Sequence, residues 1–217
     1  MTHSTTTIIP HLWFDNEAKD AVHFYTAIFP DAKTITATTL TDTPSGTVDI
    51  ITFQLWGDRF MAINAGPMFK FNPAVSFYVY CGSAAEIERL YNALSEGGKV
   101  LMPLDTYPWS EKYAWVQDKY GLSWQLDVSG TDSRQKIVPS LLFVNEKSGR
   151  VKEAVSYYTS VFPEAAVLLE APYDKSAPVE EGTLLFAQFE LNGYRFNAMS
   201  SIIKHDHDFN EAVSFMV

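Results

Sequence analysis

Two histidines and two aspartates alternate at residues 205–208, as His-Asp-His-Asp. Imidazole and carboxylate groups hold a divalent metal ion when several of them converge on one point. This run lies in a predicted turn and aligns with residues 68–70 of an earlier repeat, which has none of these ligands. Alternating residues of a turn rarely converge on one ion, so we interpret the run as a solvated polar turn.

Aromatic side chains are concentrated on the strands predicted between residues 99 and 128. If they face a cleft, they could form the wall of a site for an apolar or aromatic ligand; if they face inward, they fill the core. Strand alternation places Tyr113 and Trp115 on the same face, which leaves both interpretations open. We expect the segment 105–112, which contains proline and aromatic residues, to be a lid at the mouth of a cleft. The aromatic residues are Tyr107, Trp109, Tyr113, Trp115 and Trp124.

The remaining reactive or charged candidates have simpler interpretations. Cys81 is the only cysteine, and it has no neighbouring histidine in an acidic chain. A thiol becomes reactive in an electropositive setting, so we interpret Cys81 as a small apolar core residue. Arg59 and Arg195 stand beside predicted hairpin turns and are expected at the surface, although an arginine in a cleft would favour an anionic ligand.

The chain repeats itself, and the repeats define the elements that position these side chains. Residues 8–32 return at 137–166, and residues 71–79 return at 209–217. Apolar periodicity predicts the order strand, helix and three strands for residues 8–65. The same βαβββ order follows at 74–128 and again from residue 135, with one more strand before residue 217.

These patterns predict an α+β fold built from tandem βαβββ units. Each unit curls a four-stranded sheet, a helix covers one face, and a cleft lies between paired units. We expect one complete domain at residues 1–130 and a partial second domain at residues 135–217.

Composition excludes several partners and compartments. The net charge of −10 argues against nucleic acid or an anionic membrane as a partner, because both require clustered lysine and arginine. No apolar run is long enough to span a membrane, and the first residues lack the basic and apolar regions of a signal peptide. With a single cysteine, the chain fits a reducing compartment, and we expect a cytoplasmic protein.

Three stretches carry a resemblance to a known family, in combination with the strand order. They are LWFDNEAKDAVHFYTAIFPDA (12–32), FMAINAGPMFKFNPAVSFYVYC (60–81) and DKYGLSWQLDVS (118–129). They resemble the PhnB-like branch of the glyoxalase/bleomycin-resistance/dioxygenase superfamily, also called vicinal oxygen chelate proteins. This branch carries a demethylubiquinone methyltransferase-like label. The chain has no glycine-rich strand-to-helix loop for S-adenosylmethionine, so we do not expect that activity.

The resemblance implies a site on the first and last strands of each unit, where enzymes of the superfamily hold a divalent metal. The matching positions fall at or near His11, Asn64, Ser76 and Gln125. Only His11 and Gln125 could ligate a metal, and weakly, because the set lacks a carboxylate and a second imidazole. We therefore expect no metal cofactor, with a divalent metal as the alternative, and we interpret His11 as a half-buried strand residue bonded to a neighbour.

We expect a small-molecule-binding protein with its cleft between the two units of residues 1–130. His11 is the best candidate for acid or base chemistry, because only its side chain titrates near neutral pH. Whether the chain is an enzyme stays open. The alternatives are a metal-dependent lyase, isomerase or dioxygenase of the same superfamily, and a resistance-type protein that sequesters its ligand. The expected ligand-binding residues are His11, Trp13, Asn64, Ser76, Trp115 and Gln125.

The unpaired third unit would leave an apolar sheet face exposed and a final strand without a neighbour. Three arrangements could cover this apolar face and pair this strand. The chain could be longer, the third unit of a second chain could pack against it, or two chains could exchange their last strands. We predict a homodimer.

Overall fold

The structure is a computed structural model that describes residues 8–43, 46–128 and 135–217. The predicted junction between the domains, near residues 130–135, lies mostly outside these residues. Mixed α and β structure with the βαβββ order is confirmed. Among the described residues, the strands are β1 (Ile9–Phe14), β2 (Lys33–Thr43), β3 (Gly46–Leu55), β4 (Asp58–Asn64), β5 (Val75–Tyr80), β6 (Lys99–Tyr107), β7 (Ser110–Gln117), β8 (Ser123–Asp127), β9 (Ile137–Phe143), β10 (Ala165–Pro172), β11 (Leu184–Leu191), β12 (Tyr194–Ser200) and β13 (Val213–Met216). The helices are α1 (Ala18–Ile28), α2 (Ala84–Ser95) and α3 (Val151–Val161), with a 3₁₀ turn at Asn145–Lys147.

The chain divides into two compact units. The larger unit comprises Ile9–Asn72, Phe77–Ile137 and Asn210–Val217. Of the described residues, the smaller unit comprises Ile8, Pro73–Ser76 and Val138–Phe209.

The first sheet of the larger unit has the strand order β13-β1-β4-β3-β2. Strand β13 pairs antiparallel with β1, and His11 lies opposite Ser214. The final strand therefore has a neighbour within its own chain, which corrects the expectation of an unpaired edge.

The second sheet of the larger unit contains β5, β8, β7 and β6 in that order. Helix α1 packs on β3, and α2 packs on β7 and β8. Side chains from both sheets and from α1 then meet in one aromatic core. The rings of Phe60 and Phe77, one from each sheet, lie 5.3 Å apart, and the ring of Tyr25 on α1 lies 5.5 Å from Trp124. The helix-covered faces of the two sheets thus share a core.

Asp118 lies at the centre of this core and is only 3% exposed. It accepts hydrogen bonds from the Tyr25 hydroxyl and the Trp124 indole, each at 2.8 Å. The backbone amides of Tyr120 and Leu122 donate to its other oxygen. Burial raises the pKa of this carboxyl, and the four donors act against that rise.

The smaller unit is built on the sheet order β10-β11-β12-β9. Helix α3 packs on β11 and buries Val151 and Val155. The Leu142 amide of β9 also donates to the carbonyl of Ala74 at 2.8 Å, so the start of β5 lies beside β9. No helix among the described residues is long and apolar enough to cross a membrane.

Asp58, at the β3–β4 turn, is expected to make stability depend on pH. Its carboxylate accepts the Ile137 amide at 3.2 Å, and burial raises its pKa from 3.8 to about 6. Because the folded pKa lies above the unfolded one, the charged form disfavours folding, and stability falls as the pH rises from about 4 to about 6. Asp58→Asn should therefore raise the free energy of unfolding by about 1–2 kcal/mol at pH 8 and by almost nothing at pH 4.

Urea unfolding at both pH values measures this difference. Asp105→Asn, at an exposed aspartate, is the control and should change little at either pH. An equal gain at pH 4 and pH 8, or a loss at pH 8, would contradict the role of the Asp58 charge.

Candidate functional site

A buried polar network lies on the second sheet of the larger unit, on the face opposite Trp124. Asp127 is only 3% exposed, although it carries a carboxylate. The Ser110 hydroxyl donates to Asp127 Oδ1 at 2.5 Å, and the Tyr78 hydroxyl donates to Oδ2. The pKa of Tyr78 is raised, mainly by burial and secondly by the negative charge of Asp127. This phenol therefore keeps its proton and remains a hydrogen-bond donor.

Strands β7 and β8 continue this network along the same face. Tyr113 lies opposite Asp127 and donates its hydroxyl to Gln125 Oε1 at 2.6 Å. Trp115 lies opposite Gln125, and its indole donates to the Ser123 hydroxyl at 2.7 Å. The pKa of Tyr113 is also raised, chiefly by burial, so this phenol is a donor as well.

An aromatic cluster stands at one end of this network, and we define it as Tyr107, Trp109 and Tyr113. The rings of Tyr107 and Trp109 are stacked at 5.2 Å, and both pack edge-on against Tyr113, at 5.6 and 5.7 Å. Trp109 is 59% exposed, whereas Tyr113 is 3% exposed. The cluster therefore presents a large aromatic surface to solvent above buried hydroxyl and carboxylate groups.

The segment 105–112 is not a loose lid. Strand β6 continues to Tyr107 and β7 begins at Ser110, with Tyr107 opposite Ser110. These residues form a tight hairpin, and only Pro108 and Trp109 lie between the strands. The prediction failed because proline and aromatic content resembles a loop, whereas the strand pairing accommodates both in a two-residue turn.

The structure brings together only some of the residues that were expected in one site. Trp115 and Gln125 are neighbours on β7 and β8. His11 and Trp13 lie on β1, on the face of the first sheet opposite the Phe60 core, because His11 aligns with Met61. His11 and Gln125 therefore lie on the outer faces of two sheets whose inner faces pack together, and these residues do not line one cleft. Whether any of them binds a ligand stays a prediction.

The other expected residues have local structural partners or lie in the other unit. Asn64 Oδ1 accepts the Ala18 amide at 2.8 Å, and its Nδ2 donates to Asp49 at 3.1 Å. Asn64 thus satisfies an amide in the first turn of α1. The actual N-cap residue is Glu17, whose side chain makes no capping hydrogen bond. Ser76 is fully buried in the smaller unit.

The family model described as 3-demethylubiquinone-9 3-methyltransferase matches residues 6–127 and 135–217. The chain belongs to this family. The PhnB protein from Bacillus cereus is 35% identical, and the match covers 56% of this chain and 98% of that chain with a TM-score of 0.53. Glyoxalase I from Zea mays is 10% identical, and its match covers 91% of this chain and 69% of that chain with a TM-score of 0.59. No curated protein matches the chain at a significant level.

The family model and the match to the PhnB protein confirm the predicted PhnB-like branch. At 10% identity, the likeness to glyoxalase I shows the fold alone. The family membership does not by itself assign a reaction or a ligand to this chain, so the function has to be argued from its own side chains.

The described residues do not fit the divalent metal of the superfamily. They contain no group of three histidine, cysteine, aspartate or glutamate side chains that could hold an ion. His11 Nδ1 lies 3.5 Å from the Ser214 hydroxyl, and burial lowers the pKa of this imidazole. Gln125 Oε1 already accepts the Tyr113 hydroxyl.

The His-Asp-His-Asp run and Cys81 are held by other contacts. His205 lies 2.8 Å from the Ser201 hydroxyl, and Asp208 forms an ion pair with Lys147 at 2.6 Å. Asp206 points to solvent beside His207. Cys81 is buried. Burial is the largest of the effects that raise the pKa of its thiol to about 12, so the thiol is protonated at neutral pH.

Sequence reasoning missed the centre of the polar network. Asp127, Tyr78 and Ser110 were not singled out, because each is an ordinary residue in its own strand. The structure buries the strand that ends at Asp127, SWQLD, at all five positions, and this burial is not readable from its mixed polar and apolar sequence. A carboxylate in such a strand requires hydrogen-bond donors from neighbouring strands.

Proposed function

We propose that the chain binds a planar, largely apolar organic molecule on the aromatic cluster of Tyr107, Trp109 and Tyr113, without a metal ion. The observation that carries this proposal is the exposed indole of Trp109, stacked on Tyr107 at 5.2 Å. A third aromatic ring braces the pair from the side, which limits the conformations of both rings. A rigid aromatic surface loses little conformational entropy when a flat ligand stacks on it.

The polar network supports the same proposal, because it surrounds the buried side of the cluster with oriented groups. Tyr113 belongs to both sets, since its ring contacts Trp109 and its hydroxyl donates to Gln125. Small-molecule sites commonly combine apolar walls with a few oriented polar groups. We expect the rings to supply most of the affinity and the network to fix the position of Tyr113.

Replacement of Trp109 tests the proposal. We expect a panel of planar aromatic compounds to contain members that raise the melting temperature of the wild-type chain in a saturable way. Trp109→Ala should weaken the binding of those members about 10-fold or more, because stacking and burial of the indole are lost. Trp109→Phe keeps a ring and should weaken binding by less than Trp109→Ala.

Tyr157→Ala is the matched control. Tyr157 is also an exposed aromatic residue, at 65% exposure on α3, but it lies in the smaller unit. Its removal should leave the affinities unchanged. Equal affinities for wild type and Trp109→Ala would contradict the proposed site, and a panel without any saturable member would contradict the proposed ligand class.

The expected homodimer and the cytoplasmic location stay predictions. Sedimentation velocity of the purified chain tests the dimer, and a monomer at micromolar concentration would contradict it.

A further inference from the structure

An open cavity of about 460 Å³ lies in the smaller unit, and His205, the first residue of the His-Asp-His-Asp run, is part of its lining. The lining comes from two loops, which are the turn between β9 and α3 and the segment that follows β12. None of the lining residues belongs to a strand, so the cavity lies outside the strand positions to which the family resemblance points. Its volume is in the range that is typical of small-molecule sites.

The side chain of Asn145 joins the two loops. Its Oδ1 accepts the His205 amide at 3.0 Å, and its Nδ2 donates to the His207 carbonyl at 3.0 Å. Asn145 has a φ of +52°, a left-handed conformation that asparagine tolerates better than most residues. A second link is the ion pair of Lys147 with Asp208 at 2.6 Å. These contacts fix the walls of the cavity before a ligand arrives, which lowers the entropy cost of binding.

The inner wall of the cavity is polar and uncharged. His205 Nε2 and the Ser201 hydroxyl lie 2.8 Å apart, and both residues are half-buried. Burial is the largest of the effects that lower the pKa of His205, so this imidazole is neutral at pH 7. A serine hydroxyl is both a donor and an acceptor, so Ser201 can make a further hydrogen bond to a ligand.

The outer rim of the cavity carries one cation, one anion and two apolar side chains. Lys204 and Glu146 both line the cavity, and neither forms an ion pair in the part of the chain that the structure describes. Ile202 and Ile203 are 45% and 65% exposed. Two unlike charges that do not pair, next to an apolar surface, suit a molecule that carries both charges on an apolar body.

We propose that this cavity binds a small zwitterion with an apolar side chain, of the chemical class of the α-amino acids. Lys204 pairs with the carboxylate of the ligand, and Glu146 pairs with its ammonium group. Ile202 and Ile203 contact its apolar side chain, and the Ser201 hydroxyl supplies a further hydrogen bond. The cavity lies in the smaller unit, so its test does not depend on the function proposed for the aromatic cluster of the larger unit.

An NMR titration of the full chain with L-leucine at pH 7 tests the proposal. The δ1-methyl signal of Ile203, identified by its absence in Ile203→Val, should shift in a saturable way. Two analogues of leucine then test the charges. Leucinamide lacks the carboxylate and N-acetylleucine lacks the ammonium group, so each should bind about 10-fold more weakly than leucine, or weaker still.

Two variants assign each charge to its partner on the ligand. Lys204→Gln should weaken the binding of leucine about 10-fold and leave that of leucinamide unchanged, because leucinamide has no carboxylate to lose a contact. Glu146→Gln should weaken the binding of leucine by a similar factor and leave that of N-acetylleucine unchanged. Lys152→Gln is the matched control, since Lys152 is an exposed lysine of the same unit that does not line the cavity, and all affinities should stay the same.

Three results would overturn the proposal. The first is an Ile203 signal that does not shift in a saturable way with leucine. The second is an equal affinity for leucine and its two analogues, which would show that the cavity does not recognise the charges. The third is a loss of leucine affinity in Lys204→Gln and Glu146→Gln that is no larger than the loss in Lys152→Gln.

Discussion

Asp118→Ala is expected to lower the free energy of unfolding by about 3–5 kcal/mol. The substitution removes the acceptor of four hydrogen bonds from the centre of the larger unit. The Tyr25 hydroxyl and the Trp124 indole would remain buried without a partner, and the lost side chain would leave a small cavity. Urea unfolding at pH 7, followed by circular dichroism, measures the loss.

A second substitution tests the physical reason. Adding Tyr25→Phe to Asp118→Ala removes one of the stranded donors, so the double variant should recover part of the lost stability. Asp105→Ala, at an exposed position, should cost under about 0.5 kcal/mol. A loss for Asp118→Ala as small as that control would contradict the central role of Asp118.

Gly98→Ala is expected to have an effect of similar size, about 3 kcal/mol or more. A Cβ atom at Gly98 would lie 2.2 Å from the Gln117 carbonyl oxygen, and two backbone atoms of Asp118 would be 3.0 and 3.1 Å away. Backbone atoms cannot rotate aside, so the turn after α2 would have to move away from the end of β7. The same unfolding experiment measures the cost.

Gly97 offers a matched control one residue earlier. Its φ of +71° disfavours a side chain, but an added Cβ would meet only the Lys119 Cβ, at 3.5 Å. Gly97→Ala should therefore cost about 1–2 kcal/mol, which is less than Gly98→Ala. A larger stability loss for Gly97→Ala than for Gly98→Ala would contradict this expectation. It would show that the backbone around Gly98 can move enough to accommodate a Cβ atom.

Most of the local structure of the larger unit could be predicted from sequence periodicity. The apolar periodicity predicted one helix after the first strand in each of the segments 8–65 and 74–128, and the structure places these helices at Ala18–Ile28 and Ala84–Ser95. Such patterns are local: each strand or helix needs one apolar face, and that face is readable from its own residues.

The long-range pairings could not be predicted in the same way. The pairing of β13 with β1 joins residues about 200 positions apart, and nothing in either strand specifies the other. The role of Asn64 at the start of α1 depends on the alignment of β1 with β4, for the same reason. The sequence shows what such a side chain can do chemically. It does not show where the side chain lies when its partner is distant in sequence.

The candidate site shows the same limit. Trp115 was expected in the site from the aromatic pattern and Gln125 from the resemblance to the superfamily, and the two residues lie opposite each other on β7 and β8. Asp127 and Tyr78 meet only when β5 and β8 come together, so their contact was not foreseen. His11 was placed in the same site by resemblance to relatives, whereas here it lies on the outer face of another sheet.

The most direct test of a metal-free aromatic site is an NMR titration in the presence of EDTA. A compound that raises the melting temperature is added, and the indole N–H signal of Trp109 is followed. The chain has five tryptophans, and the signal of Trp109 is identified by its absence in Trp109→Phe. We predict that it shifts in a saturable way, at the concentrations that raise the melting temperature, while the signal of buried Trp124 stays in place. A compound that stabilises the chain without moving the Trp109 signal, or that binds only when a divalent metal replaces EDTA, would contradict the account.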